Sequence, residues 1–255
     1  MDGAEVSDTA PASAPTGTAP TGAAPTAETS IGATTAVVRR TTGVAGIAFF
    51  ALGAVATVLR LLAPGNDAPG SQTELYVLHH YHAQQASIVL EAAALFAFVI
   101  FAGHLSARIR RADAAVGDSW TPSYLMGASG VVILGLAATA AQGAYQELSH
   151  ETSLPNEVLD LYHLYTGLAS ASALALAVML VSIGLSGLLN GTIPVPLSWL
   201  GLVTAVVGIV AAGGIGTSRT TFGILVVTAD FLWLAWTLGV SVWLLVSEDR
   251  RPVPA

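Results

Sequence analysis

The 255-residue chain contains no cysteine and no lysine, and only 10% of its residues are charged. Without cysteine there can be no disulfide, no thiolate metal site and no cysteine nucleophile. Soluble domains carry about 25% charged residues, so this scarcity of charge indicates a chain whose main solvent is lipid. Several catalytic signatures are missing as well. There is no Gly-Lys-Ser/Thr phosphate loop, no His-Glu-x-x-His zinc-protease motif and no Gly-x-Ser-x-Gly nucleophile elbow. No basic patch suits nucleic acid. The short basic cluster is Arg108, Arg110 and Arg111, which a membrane-flanking loop explains. These absences lean away from an enzyme.

What is present is apolar length. Hydrophobic residues make up 53% of the chain and the mean hydropathy is +0.68. A hydrocarbon core of about 30 Å takes roughly 20 mostly apolar residues in a helix. Six stretches meet that length, at approximately Gly43–Leu62, Gln84–Ala107, Tyr124–Gln146, Leu161–Leu188, Trp199–Ile215 and Phe222–Val246. The expected fold is all-α, a polytopic transmembrane helical bundle of six spans, its principal partner the lipid bilayer. Residues 1–36 are Ala, Pro, Thr, Gly and Ser with a few acids. Such a segment buries too little apolar surface to offset its ordering entropy, and it is read as a disordered cytoplasmic tail. The transmembrane domain is then 37–247, and 248–255 is a short cytoplasmic C-terminal tail.

Arginine placement orients the spans. With the N-terminus inside, the inner segments hold Arg39, Arg40, Arg108, Arg110, Arg111, Arg250 and Arg251, and the outer ones only Arg60 and Arg219. Positive charge collects on the cytoplasmic side, so both termini are expected there, in the plasma membrane of a bacterium. A weak internal repeat supports pairing of the spans. A shift of 83 residues lays Glu74 on Glu157, Leu78 on Leu161, His80 on His163 and Ser87 on Ser170. Three consecutive helical hairpins are expected on this basis, running in the same direction as in parallel-repeat transporters. Gly208, Ala212 and Gly216 on one span, and Ala169–Ala173 on another, offer small residues for close helix approach.

Ionisable groups inside a span are costly and mark either a buried pair or a functional cavity. Glu91 and Asp230 lie seven and eight residues from the outer ends of their spans. At 1.5 Å per residue both sit roughly 10–13 Å below the outer surface. Equal depth on different helices suggests one polar cavity, with Arg60 as counter-charge. A structural ion pair is the bland alternative. A second constellation joins His80 to His163, with Asp160 three residues before His163 on the same helix face. Neutral imidazole is a common metal ligand and a carboxylate often orients it. These residues are the candidates for a divalent metal or a haem iron; otherwise no cofactor is implied.

The run Gly187-Leu188-Leu189-Asn190-Gly191-Thr192-Ile193-Pro194, leading into Leu197-Ser198-Trp199-Leu200-Gly201-Leu202, resembles a signature of an uncharacterised actinobacterial six-span integral membrane protein family. The likeness extends loosely over residues 40–246. That family carries a basic residue after the proline, where this chain has Pro196. The resemblance implies the six-span architecture and no activity, since the family's function is unknown. Pro194 and Pro196 lack backbone donors and force a break between the fourth and fifth spans.

Three functional readings are compatible with these residues. The first is a non-enzymatic accessory or small-solute or ion transport component, with an outward-facing polar cavity of Arg60, Glu91 and Asp230. The second is a haem- or metal-binding redox protein using His80, His163 and Asp160. The third is a structural bundle that forms a homo-oligomer or binds a membrane partner protein.

Overall fold

A computed structural model describes residues 27–61, 70–151, 155–213 and 220–247. Within them the chain forms helices α1 (Ala27–Arg60), α2 (Gly70–His79), α3 (Tyr81–Val116), α4 (Thr121–Glu151), α5 (Pro155–Asn190), α6 (Val195–Ala212) and α7 (Thr220–Val246). Six of them, all except α2, are long and apolar enough to cross a membrane. Helices suit that solvent because each pairs its own backbone groups where lipid offers no hydrogen bonds. The chain is a six-span helical bundle.

The apolar runs set the middles of the helices but not their ends. The α1 helix begins at Ala27, so residues 27–36, assigned by composition to the tail, continue the helix upstream. Adding residues to an existing helix avoids the cost of nucleation. Residues 1–26 and the C-terminal segment 248–255 lie outside the described residues. The α3 helix runs on to Val116 and carries Arg108, Arg110 and Arg111 near its end instead of in a loop. The connection between the first two spans is too polar to cross a membrane, yet it holds the short helix α2.

Two turns show how neighbouring helices are joined. At the end of α3, Gly117 takes φ 85° and donates its backbone N–H to Asp113 O at 2.7 Å. A glycine accepts this left-handed conformation without the Cβ penalty. Asp113 Oδ2 then accepts from the Thr121 backbone N–H at 2.9 Å and its hydroxyl at 2.7 Å. One carboxylate thus satisfies an orphan donor at the start of α4. Between α5 and α6, Pro194 stands immediately before the new helix, as expected for a residue that cannot continue the old one.

Consecutive spans pack as hairpins: α1 with α3, α4 with α5, and α6 with α7. The α5 helix also packs along α6, and α7 along α1. Small residues permit the closest approaches. A Cβ at Gly127 would lie 2.4 Å from the Met179 backbone nitrogen, and one at Gly208 would lie 2.8 Å from Ala173 O. Gly208 belongs to the ladder of small residues noted in the sequence, and Ala173 to the small face of α5. Phe49, Phe98, Phe101, Trp233 and Trp236 form the aromatic centre. Trp236 is fully buried and donates its indole N–H to Leu197 O at 3.0 Å. Phe96, Met126, Ile133, Val206 and Ile224 are exposed on the bundle's exterior, where lipid replaces water as their surroundings.

The two ends of the bundle differ. At one, Arg39 donates to Ser247 O at 2.6 Å, and Arg108 donates to Thr192 O at 2.8 Å with its guanidinium 4.5 Å from the Trp243 ring centre. Arg60 lies toward the other end, and the site is built around it.

Candidate functional site

Three helices run inward from the Arg60 end, and each contributes its eleventh residue: Glu91 on α3, Tyr165 on α5 and Asp230 on α7. A common depth of about 15 Å follows from the helical rise. The α1 helix runs the opposite way and ends at that level with Arg60. The guanidinium therefore enters the space between the other three helices. Its Nη1 donates to Glu91 Oε1 at 3.1 Å, to Glu91 Oε2 at 3.2 Å and to the Tyr165 hydroxyl at 3.2 Å. Its Nη2 donates to Thr57 Oγ1 at 3.3 Å and stands 3.7 Å from Asp230 Oδ2. The structure brings Arg60, Glu91 and Asp230 together.

The two carboxylates are not equivalent. Both Glu91 oxygens face Arg60 Nη1 in one shared, charge-assisted hydrogen bond, the stronger kind. Asp230 has only the longer ion-pair contact, and it accepts no hydrogen bond among the described residues. Its side chain is also the most open of the three, at 29% exposure against 18% for Glu91 and 19% for Arg60.

A cavity of about 70 Å³ lies against this group. Thr57, Arg60, Glu91, Ser172 and Asp230 supply its polar wall. Phe49, Leu95, Val131, Val226, Trp233 and Leu234 supply the apolar one, and Gly53, Ala56, Gly135 and Ala169 leave the room. Trp233 is held in place by Phe49, with ring centres 4.7 Å apart, and by Phe98 at 5.0 Å edge-on.

Nearer the Arg60 end lies a layer of neutral polar residues that charge and histidine spacing alone do not reveal. Gln84 Oε1 accepts from Gln142 Nε2 at 3.1 Å and from Gln146 Nε2 at 3.2 Å. Gln142 Nε2 also donates to Ser87 Oγ at 3.0 Å. Gln84 Nε2 donates to the Tyr76 hydroxyl at 3.2 Å. Burial pushes the Tyr76 phenol above its ordinary range, against the lowering effect of the Gln84 hydrogen bond. Tyr145 and Tyr162 meet edge to face at 5.6 Å, and Tyr165 packs on both while holding Arg60. The sequence does hold a signal for the glutamine layer: Gln142 and Gln146 are four apart, on one face of an otherwise apolar helix.

The histidine constellation is arranged differently from the expectation. His80 stacks on Tyr76 at 4.4 Å, and its Nδ1 is 3.1 Å from Tyr76 O. His163 and Asp160 are exposed on α5. Among the described residues no three His, Asp or Glu side chains gather into a set that could hold a metal ion, so His80, His163 and Asp160 do not form the expected triad. A repeat aligns positions along the chain and does not decide which way their side chains face.

Compared with family models, with curated proteins and with solved structures, the chain matches none.

Proposed function

We propose that this protein is a non-enzymatic, small-solute or ion transport component whose working site is the cavity beside Arg60, Glu91 and Asp230. The observation that carries this reading is one guanidinium set against two carboxylates at a cavity wall. Glu91 alone accounts for the charge of Arg60, and the contacts at 3.1 and 3.2 Å tie those two groups. Asp230 is then a surplus negative charge on a membrane-crossing helix. A charge at such a depth carries a substantial insertion cost, and the Arg60–Glu91 pair is complete without it.

The same reading places both termini in the cytoplasm and opens the cavity outward. Seven arginines flank the inner ends of the spans and two the outer ends, which is the bias that sets orientation.

The test is flux in proteoliposomes loaded with a pH-sensitive dye and challenged with small cationic solutes. Asp230→Asn should abolish the solute-dependent signal while the protein inserts and runs as the wild type does on size exclusion. Unchanged flux in that variant, or loss of folded protein in its place, would return the cluster to a structural ion pair.

A further inference from the structure

The cavity wall is detailed enough to identify a class of ligand, an inference that rests on the transport reading of the site. Two features of the wall act together. Counted as ionised, Arg60, Glu91 and Asp230 sum to one negative charge, and the uncompensated share falls on Asp230, which holds only the 3.7 Å contact. The ligand therefore brings one positive charge. Few oxygens of the wall are free: both Glu91 oxygens and the Thr57 hydroxyl are turned to Arg60, which leaves the Asp230 carboxylate and the Ser172 hydroxyl among its side chains. A hard metal cation needs six or more oxygen ligands or retained waters, whereas an alkylammonium is content with one carboxylate and an aromatic surface. Phe49 and Trp233 supply that surface.

Size sets a last limit. Each water-sized group needs about 10–15 Å³ of such space, so the 70 Å³ cavity admits a ligand of about five heavy atoms.

We propose that the cavity binds a small organic monocation of the alkylammonium class. The ammonium sits at Asp230, and the short carbon chain lies on Phe49 and Trp233.

Isothermal titration of the detergent-purified full chain tests this with four probes: ethanolammonium, propylammonium, 1-propanol and sodium, all as chlorides where charged. Ethanolammonium and propylammonium should both bind, and 1-propanol and sodium should give no saturable heat. Asp230→Asn should weaken ethanolammonium by about tenfold or more, as loss of a desolvated charge partner does, and Asp230→Glu should restore part of it. Binding of 1-propanol as tight as that of ethanolammonium would overturn the proposal. Saturable sodium binding that needs Asp230, with no amine binding, would overturn the ligand class and leave the transport cavity standing. No binding by any probe, together with unchanged flux in Asp230→Asn, would overturn both.

Discussion

Arg60 and Glu91 are 31 positions apart in the chain, yet one guanidinium nitrogen lies within 3.2 Å of both carboxylate oxygens. The contact ties the last residue of α1 to the membrane-crossing part of α3. It also leaves Asp230, the third member of the group, with a single longer contact. Two carboxylates at one depth thus have two different tasks. Glu91 holds the arginine, and Asp230 faces the cavity with its charge only partly met.

The division predicts that stability and binding will separate. Glu91→Gln should destabilise the protein by about 1–3 kcal/mol, because it removes the charge-assisted contact of a mostly buried arginine. Asp230→Asn should cost about 1 kcal/mol or less, in line with a partly exposed pair at longer range. Thermal unfolding of the two variants in one detergent gives the ranking. An equal or larger loss in Asp230→Asn would contradict the assignment.

Tyr165→Phe removes the hydroxyl that accepts from Arg60 and keeps the ring beside Tyr145 and Tyr162. The expected loss is about 0.5–1.5 kcal/mol, the net value of one hydrogen bond. Tyr165→Ala should lose more, since it also removes the ring. The unfolding midpoints of the pair separate the hydroxyl's share from that of the packing.

Gly127→Ala should be damaging and Gly103→Ala should not. A Cβ at Gly127 would come within 2.4 Å of the α5 backbone at Met179, while one at Gly103 meets nothing within 4 Å. Backbone cannot rotate away as a side chain does, so α4 and α5 must move apart, at about 1–3 kcal/mol. At Gly103 the added methyl raises helix propensity by up to about 1 kcal/mol. Midpoints that shift alike in the two variants would refute the close approach of α4 and α5.

Gln84→Leu leaves Gln142 and Gln146 without their shared acceptor and the Tyr76 hydroxyl without its donor. Unpaired buried polar groups cost about 1–3 kcal/mol. The loss should appear as a lower unfolding midpoint with ethanolammonium binding retained, because this layer lies apart from the cavity wall.

Much of the architecture is legible in the sequence, for reasons that belong to particular residues. A helix must stay apolar for the whole thickness of a bilayer, so α3, α5 and α7 announce themselves by length. Arg60, Glu91 and Asp230 stand out for the converse reason, as charges in places where charge is costly. The ends of the helices are not legible, because beyond the hydrocarbon neither Ala33 nor Ala115 is forced to be helical or coiled. Tyr165 and Gln84 are easily passed over, because neutral polar residues do not stand out in an apolar run. The register match of His80 with His163 fails as a guide to a metal-holding set, since a shared register says nothing of facing. His80 turns instead to Tyr76, four residues earlier.

Orientation is open to a direct check, because the chain has no cysteine and any introduced thiol is unique. Asn156→Cys, exposed near the Arg60 end, should react in intact cells with a membrane-impermeant maleimide. Ser119→Cys, exposed at the opposite end, should react only after the membrane is opened. The reverse pattern would place Arg60 and its cavity on the cytoplasmic side.

The same freedom from native thiols allows the cavity itself to be probed. Ser172 lies on its wall, so Ser172→Cys sets a single reporter inside the cavity. The measurement is its rate of modification by an ammonium-bearing methanethiosulfonate and by the sulfonate-bearing analogue, in the protein reconstituted in vesicles. The ammonium reagent should react faster by about tenfold or more, as a negative wall concentrates cations, and added ethanolammonium should slow it. Equal rates for the two reagents, or no reaction with either, would contradict a cation-accepting cavity at Asp230.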